Sequence, residues 1–140
     1  MQFALHLLPA QAQWAPVFGI TVNDFNGDGI QDILLNGNEF SMAPSLGRYD
    51  ALNGLLLQGD GKGGFIALSV LQSGIFIPGN GKALTQIITN GKLTIAASQN
   101  NSSLRMFQNK IQEGKIVLAE PGDNFAILQL KNGQKRKEEF

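Results

Sequence analysis

The feature that most limits how this chain can fold is the shortness of its apolar runs, several of which are closed by glycine or by Asn-Gly. Residues 17–22, 33–35, 54–58, 65–71, 83–88, 93–98 and 104–108 are strand-length segments rich in Leu, Ile, Val, Phe and Thr. β-Branched and aromatic residues fit a pleated, half-buried surface. Asn90-Gly91 and Asn132-Gly133, each set between apolar alternations, are the strongest short-range hairpin signal a sequence offers. Few segments carry a helical period, which takes about 10–12 residues to declare itself. The expectation is an all-β chain of antiparallel strands.

Strands recurring at about 8–12-residue intervals, with turn signals between, indicate a sandwich, a barrel or propeller blades. Weak internal repetition between residues 17–71 and 83–118 favours antiparallel β-propeller-type blades. Residues 1–78 form a first blade-like unit, which includes an irregular excursion over 39–53. Residues 79–119 form a second blade-like sheet ending in a short strand at 116–118, and residues 120–140 a terminal β-hairpin. The three are also compatible with one continuous domain. Leu5, Leu7 and Trp14 are the expected buried anchors at the start, and Asn36-Gly37-Asn38 is the expected end of the strand at 33–35.

Between the first two strands lies Asp24-Phe25-Asn26-Gly27-Asp28-Gly29-Ile30-Gln31-Asp32. Oxygen-bearing side chains fall at its first, third, fifth and ninth positions, with glycine at the sixth. Ca²⁺ takes roughly six to eight oxygen ligands at about 2.3–2.6 Å, and a glycine allows the sharp turn that gathers them. The expected ligands are the side chains of Asp24, Asn26, Asp28 and Asp32 and the backbone carbonyl of Ile30. The alternative is an ordinary Asn/Gly-rich hairpin with solvated carboxylates, in which three neighbouring carboxylates would repel one another without a cation. The loop is no EF-hand: Leu35 stands where the bidentate glutamate belongs, and strands replace the helices. Its expected Kd is that of extracellular modules, on the order of 10⁻⁴–10⁻³ M or somewhat tighter.

Other chemistry is sparse. Eleven basic residues balance eleven acidic ones, so there is no broad electrostatic footprint for nucleic acid or an anionic membrane. Lys135-Arg136-Lys137, followed at once by Glu138-Glu139, reads as a solvated strand face. The absence of cysteine removes disulfides, thiolate zinc and thiol chemistry. No run approaches the ~18 apolar residues of a membrane helix, and the apolar start lacks the basic region and the length of a signal peptide. The glycine-rich stretch 59–64 imitates a phosphate cradle without the strand–loop–helix context or the Lys-Ser/Thr pair, so it reads as a hairpin turn. Within it, Asp60 is placed to cap its own backbone.

His6 has no second histidine or cysteine with which to bind zinc, and no Gly-x-Ser-x-Gly elbow accompanies it. No enzymatic activity is expected. Arg48, Tyr49 and Asp50 form the one compact polar-aromatic group outside the loop. They read first as a buried structural network and second as a weak site for a ligand carboxylate or sugar.

Residues 20–35, from Ile20-Thr21-Val22 through the loop to Ile33-Leu34-Leu35, resemble an FG-GAP/VCBS repeat, the blade unit of the integrin α-type β-propeller. In those repeats a strand runs into an Asp-x-Asp/Asn-x-Asp-Gly-x-x-Asp loop and out through a strand of Asp-Ile/Leu-Leu-Leu type. Every ligand position matches, with Asn26 in place of the commoner Asp. That lost charge implies weaker binding and not a lost site. Residues 46–51, 59–65, 73–79 and 128–140 are similar to the C-terminal part of large bacterial FG-GAP/VCBS proteins typical of Bacteroidetes.

The resemblance implies a partial propeller with a terminal hairpin, Ca²⁺ as the bound ion, and a binding or scaffold role toward a protein or glycan ligand. It also implies a parent protein that is secreted, periplasmic or attached at the outer surface. A structural end-cap with no ligand of its own and the accessory region of a secreted hydrolase are the alternatives. A closed propeller of this kind needs about seven blades, and this chain holds about two. The expectation is therefore a fragment whose strand edges are covered by the rest of a longer propeller or by self-association.

Overall fold

The computed structural model of the chain describes residues 3–90, 92–110, 119–129, 133 and 135–139. A 3₁₀ turn at Ala10–Gln13 precedes β1 (Val17–Asn23), β2 (Asp32–Gly37), β3 (Leu55–Gly59) and β4 (Phe65–Leu68). One helical turn, α1 (Val70–Ser73), follows, and then β5 (Asn80–Thr89), β6 (Lys92–Asn100), β7 (Arg105–Gln108), β8 (Phe125–Gln129) and β9 (Lys135–Glu139). The described strands pair antiparallel throughout, as a four-stranded meander β1-β2-β3-β4, a three-stranded sheet β5-β6-β7 and a hairpin β8-β9. The chain is all-β, and these sheets do not close into a barrel.

β2 is central to the first sheet, and its register explains its composition. Ile33 pairs with Leu57, Leu34 with Leu56 and Leu35 with Leu55. Side chains alternate between faces along a strand, so Ile33, Leu35, Leu55 and Leu57 point one way, into a core with Ala12 and Leu52. Leu34 and Leu56 point the other way, into a core with Phe25, Ile75, Ile77, Ile95 and Ala97. A strand buried on both faces requires a continuous apolar run, which Ile33-Leu34-Leu35 supplies. Full burial of side chains such as Leu34 and Leu57 contributes about 1.5–3 kcal/mol each in transfer free energy.

The two larger sheets share a core and approach most closely along one side. Gly19 of β1 lies so close to β5 that a Cβ there would stand 2.7 Å from the Leu84 nitrogen. The Asn36 amide, at the end of β2, donates to the carbonyls of Ala83 and Ser98, each at 3.4 Å. Away from this seam, β3 and β4 diverge from β6 and β7 and leave a cleft of about 710 Å³. The pair of sheets is a wedge.

Several expectations are corrected. Leu5, Leu7 and Trp14 are not anchors, being 93%, 85% and 58% exposed. Pro9 instead opens the 3₁₀ turn, accepting a bond from the Ala12 N–H at 3.0 Å, and the turn directs only the small Ala12 into the core beside Leu52 and Leu55. Asn36-Gly37-Asn38 does end β2, at Gly37 with Asn38 at a φ of 85°, but both asparagines are fully buried. Asn38 accepts from the Leu52 N–H at 2.8 Å and donates to the Gly79 carbonyl at 3.1 Å, so its amide replaces backbone partners that a buried loop lacks.

The strand expected at 65–71 ends at Leu68. Ser69 and Gln72 form a reciprocal capping box, and Gly74, at φ 69°, closes α1 in the left-handed region. The strand expected at 116–118 lies outside the described residues. The terminal hairpin forms, with Phe125, Ile127 and Leu128 exposed. On β9, Arg136 pairs with Glu138 and Lys137 with Glu139, each at 2.5 Å, which makes the basic run a self-neutralised strand face.

Candidate cation loop

β1 and β2 stay paired up to Asn23 and Asp32, so the intervening loop has its two ends fixed at ladder spacing. Asp24 is its hub. One carboxylate oxygen accepts from the N–H groups of Gly27 (2.7 Å) and Asp28 (3.1 Å), and the other from Gly29 at 2.8 Å. Gly27 and Gly29 have φ of 79° and 87°, a conformation open to glycine at little cost. It turns successive N–H groups inward on one anion. The Asn26 side-chain oxygen accepts from the Asp28 N–H at 2.9 Å, and one Asp28 oxygen accepts from the Ile30 N–H at 2.8 Å. The Asn26 amide donates to the other Asp28 oxygen at 2.8 Å.

Asp32 plays a different part. It is 1% exposed, and its two oxygens accept from the Phe25 N–H and from the Gly59 N–H at the end of β3, both at 3.0 Å. It therefore fastens the loop's entrance and the third strand to one carboxylate. Burial pushes the Asp32 carboxyl above its ordinary range, the two N–H bonds pull it down, and repulsion from Asp28 and Asp24 pushes it up again.

The structure brings Asp24, Asn26, Asp28 and Asp32 into a single loop with Ile30. Among the described residues, no three Asp, Glu, His or Cys side chains meet closely enough to form a metal cage. The donor set is nevertheless all oxygen, which is what a hard cation takes. A carboxylate offers about four lone-pair sites, and the bonds named above occupy only some of them on each Asp. The residues fit a cation in donor type and charge, and the Asn26 amide occupies the positively polarised position beside Asp28.

The loop is also tied to the second sheet, by residues that sequence reasoning did not select. The Asn23 amide donates to the Gln86 side-chain oxygen at 2.8 Å, and the Gln86 amide donates to the Val22 carbonyl at 3.0 Å and to the Thr21 hydroxyl. The Asn109 amide, just past β7, donates to the Phe25 carbonyl at 2.8 Å, while the Phe25 side chain is buried in the core between the sheets. Gln86 and Asn109 lie more than sixty residues from these partners, and no local pattern marks either. Phe25, Asn26 and Asp32 also line the cleft, opposite Phe107 and Asn109.

Arg48, Tyr49 and Asp50 are all exposed, so the buried network expected there does not exist. A backbone bridge between Glu39 and Tyr49, at 2.9 and 3.0 Å, closes the excursion, and the Arg48 guanidinium sits 5.0 Å over the Phe40 ring. Asp60 does cap its own turn, accepting from the N–H groups of Lys62 (2.7 Å) and Gly64 (2.8 Å). Those bonds hold its carboxyl below the ordinary range. No described helix is long and apolar enough to cross a membrane, which says nothing of strands. No protein-family model, no curated protein and no solved structure matches the chain.

Proposed function

We propose that this chain is a calcium-binding β-blade domain of the FG-GAP/VCBS type, with a non-catalytic binding or scaffold role in a larger bacterial protein at the cell surface. The observation that carries the reading is the all-oxygen donor set of the β1–β2 connection, in which Asp24 and Asp28 turn the loop and Asp32, buried at the start of β2, fastens its entrance. Asp24, Asn26, Asp28 and Asp32 with the Ile30 carbonyl would hold the ion. The ion supplies positive charge among carboxylates that otherwise repel. The four-stranded antiparallel meander is compatible with a blade. His6, the chain's one histidine, is exposed ahead of the first strand, which supports a non-catalytic role.

The end-cap reading, with no ligand beyond the ion, draws support from Arg48, Tyr49 and Asp50, all of them solvent-facing residues. A glycan array separates it from a sugar-binding role. The cation itself is tested by thermal melts in calcium and in EDTA. At a hundredfold excess over Kd, calcium stabilises the fold by about 2.7 kcal/mol. Superimposable melts in the two solutions refute the proposal.

A further inference from the structure

Resting on the calcium reading above, we propose that cation loading of the loop and docking of the second sheet are a single linked equilibrium, with the loop acting as a clamp across the wedge. The sheets touch along β1, β2 and β5 and part toward β4 and β7. At the loop the first sheet reaches across to the far strand of the second, where Asn109 binds the Phe25 carbonyl at 2.8 Å. The next residue after the hub Asp24 therefore supplies a carbonyl to β7's exit and a ring to the shared core. On the other flank, the Asn23 amide donates to the Gln86 side-chain oxygen and the Gln86 amide donates to the Val22 carbonyl, linking β1 to β5. Asp32 completes the connection, because the N–H it holds at the loop's entrance belongs to the same Phe25.

A cation that gathers Asp24, Asp28 and Asp32 fixes Phe25 from two sides. Fixing Phe25 in turn fixes the partner that Asn109 and the inter-sheet core require. Linkage is reciprocal, so whatever the ion does for the second sheet, the second sheet does for the ion. Asn109 and Gln86 supply no cation ligand, yet their removal lowers cation affinity.

The test is an NMR titration of the full chain with Ca²⁺, following Gly27 and Gly29 in the loop and Ile95 and Phe107 in the second sheet. In the wild type all four amides shift with one Kd. Asn109→Ala and Gln86→Ala each raise that Kd about fivefold or more, from the lower end of ordinary coupling upward. Glu39→Gln is the control, because it breaks another link between the sheets, the Lys82–Glu39 ion pair at 3.1 Å, and leaves Kd unchanged. Loop amides that titrate with wild-type affinity in both alanine variants overturn the linkage and leave the cation reading intact. An equal loss in all three variants also overturns it, as an effect of general stability. A wild type whose loop amides ignore calcium overturns both proposals. If the alanine variants do not fold, hydrogen exchange on the wild type decides: Ile95 and Phe107 amides slow on adding calcium, and unchanged exchange overturns the linkage.

Discussion

Two turns in the first sheet are built from aspartate and glycine, and they solve opposite problems. The β3–β4 turn has one carboxylate, Asp60, which accepts two backbone N–H groups in water. Its carboxyl is lowered, and the turn is complete in itself. The β1–β2 connection has three carboxylates, each with its own N–H donors, and one of them, Asp32, is buried with its carboxyl raised. A single anion in a nest of N–H groups is satisfied. Three leave a surplus of negative charge that the backbone cannot neutralise. The difference separates a turn complete in itself from one whose proposed role is to hold a cation.

The largest expected effect that tests this contrast is at Asp32. Asp32→Ala orphans the Phe25 and Gly59 N–H groups, at about 1–3 kcal/mol for each buried donor. Urea denaturation in EDTA measures the loss, and Asp32→Asn, which keeps one acceptor, falls between the variant and wild type. A loss no greater than that of Asp60→Ala would erase the distinction between the two turns.

A smaller effect changes sign with the ion. In EDTA, Asp28→Asn relieves repulsion and raises stability, by less than about 1 kcal/mol, the scale of exposed charge pairs. In saturating calcium the same variant melts below wild type, because a ligand charge has been lost. Melts of the two proteins in both solutions supply the check, and an unchanged order would break the contrast. Asp60→Ala lowers the melting temperature by the same small amount with and without calcium.

The smallest effect is in the pH profile without metal, where the two turns have opposite slopes. Asp60 is held below its ordinary 3.8, so its stabilisation is complete above that value and is lost as pH falls through the lower folded pKa. Asp32 is held above 3.8, so the folded state binds the extra proton, and stability falls as pH rises from 3.8 through the raised folded pKa. Urea midpoints of wild type and Asp60→Asn between pH 2 and 6, the range spanning ordinary aspartate values, isolate the first slope. Asp32→Asn abolishes the second.

Much of the architecture was legible because its determinants are local. The strand-length apolar segments 83–88 and 93–98 and the Asn-Gly between them mark the β5–β6 hairpin, and Asn90 takes the positive φ, 53°, that such a turn needs. The run Ile33-Leu34-Leu35 likewise declares a strand buried on both faces. Legibility failed where a residue's partner is far away in sequence. Asn36 and Asn38 carry turn chemistry, yet the carbonyls of Ala83, Ser98 and Gly79 and the N–H of Leu52 hold them in the interior. Leu5 and Leu7 have the composition of anchors, but the chain ahead of Pro9 joins no sheet that would cover them. The one helical turn was visible in Ser69 and Gln72, a four-residue signal that a search for long helical periods passes over.

Within the candidate site, the five residues proposed to hold the ion come from one segment, so their spacing is visible in the sequence. The attachment of that segment to β5 and β7 is not. Asn109 sits more than eighty residues from Phe25, and only the folded arrangement of the sheets makes them neighbours.

The closer approach of the sheets along one side also has a mechanical meaning. Two plates joined along one border resist sliding but offer little resistance to a change of angle, and the far borders travel farthest. Gly19 and Asn36 lie at the joined border, and Leu68 and Met106 face the open one. A small rotation about the β1–β5 border would therefore show its largest displacement at the mouth between β4 and β7.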